Sequence, residues 1–544
     1  MANDHDCKSR HPSSTPASTP EWADQINHFK RLTQIGVALS AEKNLDRLLE
    51  MIVEEARCFS HADGGALYIM TDDETALKFA IVQSDSLNIR MGGTSDKITW
   101  PSVPLRNSDG AFNYANVSAY AALSGESVNI PDVYDAAGFN FEGTREFDRD
   151  TGYRSQSMLV APMRNYDNNI IGVLQLLNAR DPATGTVVPF SPEYQGLTEC
   201  LASQAAVALT NNRLIHDLEV LLDSFIRSIA TAIDEKSPYT GGHVRRVAEL
   251  TMVIAGWIND TKEGPFADVF FDKSQMKELR LAGWLHDVGK ITTPEHVVDK
   301  AAKLETVCNR MELVQTRFEL LRRDHEMEKL RGAIAEGRQG LDEPLTEDDD
   351  FIRSLDDDYQ FLVRDNNGSE PMAEEQIARL KRIAERKYFM DGAWHPLLTD
   401  NELENLSIRQ GTLTHEERNI VSNHAAVTYK MLSQLPFPRK MRNVAEYAAG
   451  HHERIDGSGY PKGLKGGEIA IQSRILALAD IFEALTAKDR PYKRPISLSQ
   501  ALKIMGFMVK DGHIDADLFD LFVREQIYLD YVRRELTPQQ LDQP

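Results

Sequence analysis

The chain is poor in cysteine, in positive charge and in uninterrupted apolar sequence. Its four cysteines (Cys7, Cys58, Cys200, Cys308) are scattered through 544 residues and never form a Cys-x-x-Cys pair. That spacing argues against a disulfide framework or a thiolate zinc site and fits a reducing compartment. No apolar run reaches the ~18 residues needed to span a bilayer. The N-terminal segment lacks the apolar stretch of a secretory signal, so a cytoplasmic location without membrane attachment is expected. Lys plus Arg number 61 against 83 Asp plus Glu, a net charge of −22. A surface of that sign does not capture nucleic-acid polymers or anionic membranes as a whole, and a small anionic substrate needs a local patch of metal or Lys/Arg. What is present is ordinary globular material, 42% hydrophobic and 26% charged. The length predicts two or three domains at ~100–200 residues each.

Residues 1–24 are rich in Ser, Thr, Pro and charge and read as a disordered tail. From Gln25 the pattern becomes periodic, and HFKRLTQIGVALSAEKNLDRLLEMIVEEARCFS predicts two amphipathic helices. GGALYIMTD and ALKFAIVQS predict strands, and SMLVAPMRNYDNNIIGVLQLLNA predicts a hairpin turning at Tyr166 to Asn169. A long helix follows from about Ser191 to Ile233. This order makes an α+β domain over 25–215, with its exit helix beginning near 191.

The order of elements and the segment GYRSQSMLVAPMRNYDNNIIGVLQLLNA resemble a GAF domain, the small-molecule sensor module that precedes many signalling outputs. Some cyclic-nucleotide-binding members carry an Asn-Lys…Phe…Asp-Glu pattern. Here Asn178, Phe190 and Glu193 give fragments of it, with Ala179 where Lys would stand. The resemblance thus leaves open an unknown small ligand at this domain or a purely structural, dimerising role. The exit helix keeps an apolar stripe into a connector at 216–235. It is either packed on its own domain or a parallel two-helix connector that makes a homodimer, and the stripe's continuity favours the connector.

From about 221 to 544 the chain reads as helical throughout, with no convincing alternating strand. A charged insertion at about 304–410 contains LDEPLTEDDDFIRSLDDDYQ, with nine carboxylates in twenty residues. NRMELVQTRFELLRRDHEMEKLRGAIAEG and EEQIARLKRIAERKYF on its flanks predict an antiparallel helical hairpin with an acidic, partly disordered tip. The carboxylates lack EF-hand spacing, so a solvated loop is the expected state.

Histidine placement points to chemistry. Most of the fifteen histidines sit among polar residues, but His243, His286, His424, His451 and His452 lie in apolar helical sequence, as do Asp287 and Asp480. Burying carboxylates there costs several kcal/mol unless they are paired or bind a cation. Convergence on metal explains all seven, since imidazole and carboxylate are ligands of Fe, Mn and Zn. Seven exceed the four of one tetrahedral zinc, and two metals bridged by one carboxylate fit the count.

The sequence then resembles a specific family. His286-Asp287 followed by Gly289-Lys290 matches the HDxGK signature of the HD superfamily of metal-dependent phosphohydrolases, and HHERIDGSGYP (His451 to Pro461) matches the HHExxDGxGYP signature of its HD-GYP subfamily. PYTGGHxxRV around His243, the lone His424 and LALADIFEALTAKDRPYK around Asp480 also match, from about Leu221 to Ile504. The resemblance implies an all-α HD-GYP domain carrying a helical insertion. It implies two divalent transition metals, Fe or Mn, on His243, His286, Asp287, His424, His451, His452 and Asp480, with Asp287 bridging. It further implies that Asp287 and Lys290 are catalytic, Lys290 contacting the scissile phosphate, and that Arg490 and Lys493 hold the substrate's phosphate or guanine. Gly457, Gly459, Tyr460 and Pro461 would form a loop that shapes the pocket or engages signalling proteins. Some members bear a Glu four residues before the first His for a third metal; Tyr239 occupies that place here, so two metals are expected.

The activity implied is hydrolysis of cyclic di-GMP to pGpG or onward to GMP, regulated by the GAF domain. Action on another cyclic dinucleotide or nucleotide, or binding of cyclic di-GMP without turnover, stands as the alternative. In-helix spacing places His286, Asp287 and Lys290 on one face. The chemistry suits a phosphodiester, because paired cations lower the pKa of bound water and neutralise the charge of the transition state.

Overall fold

The computed structural model describes residues 30, 33–236, 242–337, 350–368, 370–487 and 496–542. The expected tail, Tyr239, the 341–349 part of the acidic stretch, Arg490 and Lys493 lie outside the described residues. The chain divides into two compact units, Met1–Leu221 and Leu222–Pro544.

The first unit is built on an eight-stranded sheet of order β3-β2-β1-β7-β6-β5, with β4 paired to β2 and β8 to β7. The strands are β1 (Ala62–Met70), β2 (Ala76–Ser84), β3 (Ile89–Gly92), β4 (Val103–Pro104), β5 (Val128–Ile130), β6 (Met158–Arg164), β7 (Ile170–Arg180) and β8 (Val187–Val188). The predicted hairpin is β6–β7, pairing Ala161 with Leu174. Its turn is held by the Asn165 side chain, which accepts from Asp167 N (3.1 Å) and Asn169 N (2.9 Å).

Strand alternation gives the sheet two cores. Leu67, Leu159, Ala161 and Leu174 face one core, shared with helix α1 (Leu45–Ser60). Ala66, Tyr68, Val160 and Val173 face the other, shared with helix α2 (Val117–Ser124). Asn178, read as a fragment of a nucleotide-binding pattern, has a structural role. Its side chain accepts from Gln156 N (2.7 Å) and donates to Arg154 O (2.8 Å). Helix α3 (Pro192–Asp234) runs for 43 residues, and its Leu201, Ala202, Ala205, Ala206 and Leu209 seal the first core.

The second unit is helical around α4 (His243–Asp260), α5 (Lys273–Leu285), α6 (Met311–Ala335), α7 (Asp350–Asn366), α8 (Glu374–Ala384), α9 (Asp400–Leu406), α10 (His415–Leu432), α11 (Val444–Ala449) and α12 (Ile471–Thr486). Its main core packs α4 and α12 through Val247, Ile254, Leu476 and Phe482. The insertion departs from the expected hairpin in two ways. The second half of the acidic stretch is a helix, α7, whose Leu355, Phe361 and Leu362 pack with Val314, Phe318, Leu380 and Ile383 of α6 and α8. Arg379 (2.6 Å to Asp357, 3.0 Å to Asp358) and Arg386 (2.9 Å to Asp358) neutralise the carboxylates on its outer face. The unit also contains a two-stranded antiparallel ribbon, β9 (Lys387–Met390) and β10 (Ala393–Pro396). It turns at Asp391-Gly392, both with positive φ (51° and 78°), the residue pair that a tight hairpin turn favours.

Among the described residues, no helix is long and apolar enough to cross a membrane.

Candidate metal centre

The second unit gathers side chains from separate elements around the carboxylate of Asp287. His243 is the first residue of α4, His424 lies within α10, and Asp480 lies within α12. His451 and His452 end a 3-10 turn that continues α11. The HD pair differs from the sequence reading, which put it inside a helix. Helix α5 stops at Leu285, His286 is its C-cap, and Asp287 (φ −99°, ψ 7°) opens a 3-10 turn, Val288–Thr292.

The cause of that break lies in the neighbouring helix. A Cβ on Gly289 would sit 2.0 Å from the carbonyl oxygen of His424 and 2.7 Å from Thr428 N, so the turn presses backbone to backbone on α10. The Thr428 hydroxyl completes the joint, accepting from Gly289 N and donating to His286 O, both at 3.0 Å. Glycine at 289 thereby sets the distance between Asp287 and His424.

The two oxygens of Asp287 face different partners. Oδ2 lies 3.3 Å from His286 Nε2 and 3.5 Å from His243 Nε2, and Asp480 Oδ1 is 3.3 Å from the same His243 nitrogen. Oδ1 lies 3.4 Å from His424 Nε2 and 4.0 Å from His451 Nε2. Donor atoms cluster accordingly: His243, His286 and Asp480 within 4.8 Å of one another, and His424, His451 and His452 likewise. All seven residues singled out from sequence therefore meet in one place.

Several ring orientations are fixed from behind. Nδ1 of His286, His424 and His451 faces the carbonyl oxygens of Gly283 (2.8 Å), Val421 (2.6 Å) and Ala448 (2.5 Å). A carbonyl only accepts, so each Nδ1 carries a proton, and in the neutral imidazole Nε2 then presents a lone pair inward. Those three Nε2 atoms and Asp287 Oδ1 are buried and make no hydrogen bond. Buried polar atoms are rarely left without a partner, and here they converge as lone pairs, which fits a cation. His243 is oriented differently, by Glu483 Oε2 at 2.5 Å from its Nδ1. Arg246 Nε in turn donates to Glu483 Oε1 at 2.7 Å. The sequence reading missed Glu483 and Arg246, although each lies three residues after a singled-out residue (Asp480 and His243) and so on the same helix face.

Electrostatics separate the groups into anionic and neutral sets. Burial pushes the Asp287 carboxyl up, but Lys290 and the facing imidazoles outweigh it and hold the pKa well below the usual carboxylate range. Asp480 is likewise held low against its burial, by the hydrogen bond and charge of His243. Burial lowers His424 and His451 and pushes His452 down to about 3, so these three are neutral donors. His243 is raised despite burial, because Glu483, Asp287 and Asp480 surround it with negative charge.

Lys290 Nζ donates to Asp287 Oδ2 at 2.6 Å. Both residues line a small cavity with Asp234, Lys236 and Glu295. The loop after His452 is held by buried Glu453, which accepts from Lys462 N (2.7 Å) and Leu464 N (2.9 Å). Tyr460 stacks on His452 with ring centroids 4.8 Å apart. Gly459 approaches backbone so closely that a Cβ would lie 2.6 Å from His452 O. Gly457 takes a positive φ of 83°, and the Tyr460–Pro461 peptide is cis.

Imidazoles and aspartates gathered around one central carboxylate form a donor set that could hold metal ions. Separate stretches of the chain match known domain models. Residues 240–384 and 399–518 each match an HD domain model, and residues 44–209 match the GAF domain. The chain therefore carries a GAF domain followed by HD-domain sequence, and HD domains are metal-dependent phosphohydrolases.

Among curated proteins it is similar to the 3'3'-cGAMP-specific phosphodiesterase 1 of Vibrio cholerae serotype O1, 36% identical over 140 residues, covering 26% of this chain and 32% of that protein. It is also similar to a probable cyclic di-GMP phosphodiesterase of the same organism (34% over 158 residues, 27% and 34% covered). A cyclic di-GMP phosphodiesterase of Thermotoga maritima matches at 42% over 100 residues, with 18% and 27% covered. The chain spans about a third of the length of these curated relatives.

Proposed function

We propose that the chain is an HD-GYP phosphodiesterase that hydrolyses cyclic di-GMP to pGpG or onward to GMP. The observation that carries this reading is that His243 and His286 face one oxygen of Asp287 and His424 and His451 the other, with Asp480 grouped with the first pair and His452 with the second. His243, His286 and Asp480 would hold one divalent transition metal and His424, His451 and His452 a second, with Asp287 shared. A thiolate-free set of imidazoles and carboxylates suits iron, manganese or zinc, and iron or manganese is assigned on the family resemblance. Bound metal supplies Lewis-acid polarisation of the phosphodiester and activation of water.

The protein's own groups do the rest. Backbone carbonyls and Glu483 hold the imidazoles in one orientation, and Asp287 remains ionised across the neutral range. The Lys290 ammonium, now on Asp287, stands ready to stabilise charge on the phosphate. Arg490 and Lys493 are assigned to the substrate's phosphate or guanine on resemblance alone. The Gly457–Pro461 loop, packed beside His452 through Tyr460, is assigned to shaping the pocket or engaging signalling proteins.

The remaining partners follow from the first unit and its long helix. A cavity of about 650 Å³ in the first unit is lined by Tyr68, Phe79, Trp100 and Phe147, with Glu146 and Asp150 and no Lys, Arg or His among the described lining residues. Such a lining favours an uncharged or cationic small molecule with an aromatic face over a cyclic nucleotide. On α3, Leu214, Leu218, Leu221 and Phe225 are 43–64% exposed and follow four-three-four spacing, the seam of a two-helix coiled coil. That seam supports a homodimer joined through a connector at 216–235, between a sensor at 25–215 and a phosphohydrolase unit at 221–544. The described cysteines are free thiols, in keeping with a reducing cytoplasm.

The test is turnover of cyclic di-GMP and 3'3'-cGAMP after anaerobic reconstitution with Mn or Fe. Hydrolysis of cyclic di-GMP supports the proposal. Hydrolysis of 3'3'-cGAMP alone moves the substrate, and tight binding without hydrolysis makes the chain a receptor.

A further inference from the structure

The end of α3 grips the elements that carry the HD pair. Asp223 accepts both hydrogen bonds of Arg280 on α5 (2.6 and 2.8 Å), and Ile226 and Ile233 pack with Leu281, Leu285 and Val288. Asp234 Oδ2 accepts from Gly242 N (3.1 Å), the residue before His243. Just past the helix, Lys236 Nζ donates to three carbonyls of one short turn: Lys290 O (3.0 Å), Ile291 O (2.6 Å) and Thr293 O (2.6 Å).

An ammonium has three donors, and all three are spent on this turn. The turn's internal bonds are those of a short 3-10 helix, Lys290 N on Asp287 O (2.9 Å) and Thr293 N on Lys290 O (3.0 Å) among them, and 3-10 bonds are poorly aligned. Lys236 therefore fixes the main chain from which the Lys290 side chain reaches Asp287. It is 54 residues away in sequence from the carbonyl it holds, so its function is invisible to local pattern.

We propose that Lys236 is a positioning residue for Lys290, clamping the turn that aims the Lys290 ammonium and tying that aim to the end of α3. The inference rests on the phosphodiesterase reading, and its test includes a measurement that does not. In the metal-loaded full chain, Lys236→Met should accelerate amide exchange at Lys290 and Thr293 by about tenfold or more as the turn loosens. Bound metal should stay at the parental level, because the ligand side chains are oriented by other bonds.

In kinetics, Lys236→Met should lower kcat about tenfold with KM within about twofold, the signature of a misplaced transition-state contact. Lys236→Arg, which can still donate to carbonyls, should recover most of that loss. If Lys236 acts through Lys290, then Lys236→Met adds nothing to Lys290→Met. Additive losses, unchanged exchange, or loss of metal from Lys236→Met would each overturn the proposal. Should the parental chain fail to hydrolyse cyclic dinucleotides, the phosphodiesterase reading falls, and the exchange measurement alone decides on the clamp.

Discussion

Replacing Gly289 with alanine tests the joint that sets the centre's dimensions. The added Cβ would lie 2.0 Å from His424 O, 2.7 Å from Thr428 N and 2.8 Å from Thr428 Oγ1. Relieving the first contact to van der Waals distance needs more than about 1 Å of movement between the Asp287 turn and α10. Metal–ligand distances tolerate only about ±0.2 Å, and Asp287 Oδ1 and His424 Nε2 stand on opposite sides of this joint, 3.4 Å apart. Overpacking of this kind costs about 1–3 kcal/mol. Gly289→Ala should accordingly lower the denaturant midpoint of the metal-free protein and reduce bound metal in the loaded one, with turnover falling in proportion. Elemental analysis beside a urea titration reads both. Parental stability together with full metal content would refute the view that this backbone contact spaces the ligands.

Glu483→Gln keeps the shape of the group behind His243 but removes its charge, and should weaken metal affinity about 10–100-fold; chelator competition checks this, and unchanged affinity would count against it. The metal-free chain should be most stable somewhat above about pH 6.5, where the three lowered imidazoles no longer outweigh the one raised one. His424, His451 and His452 are held neutral by burial, so below about 6.5 the unfolded chain binds more protons, and each such imidazole removes up to about 1.4 kcal/mol per pH unit of acidification. His243 is raised, so its contribution is full below its unfolded pKa and is lost as pH rises through the raised value. Unfolding titrations across this range should show a maximum, and a stability that only rises with pH would contradict the His243 assignment. Leu218→Lys with Leu221→Lys places charge on the α3 seam and should convert the full chain to monomer in sedimentation at micromolar concentration; an unchanged dimer would move the interface elsewhere.

The seven candidate ligands were legible because polar residues in apolar helical text are conspicuous, as with His286-Asp287 after LRLAGWL or Asp480 within ILALADIFEAL. Their supports were not. Glu483 and Arg246 read as ordinary charged positions, and only their three-residue offset from Asp480 and His243 hinted at a shared face. Lys236 looks like a surface residue in DEKSPYTGG, since its three partners lie far along the chain. The break after Leu285 follows from a tertiary contact at Gly289, which no helical periodicity announces. In the insertion, carboxylate density masked the apolar face of α7, whose Leu355 and Leu362 are buried. The ribbon at 387–396 was missed because its strands are four residues each, too short for alternation to stand out. The β6–β7 hairpin and the exit helix were legible because one has a polar turn between long apolar strands and the other an unbroken stripe.

The central claim is that one carboxylate joins two metal sites, and metal stoichiometry measures it directly. Anaerobically purified full chain should contain two transition-metal ions per chain, and Asp287→Ala, with its secondary structure intact, should hold less than one and hydrolyse no cyclic dinucleotide. A variant that kept both ions and near-parental turnover would contradict the account.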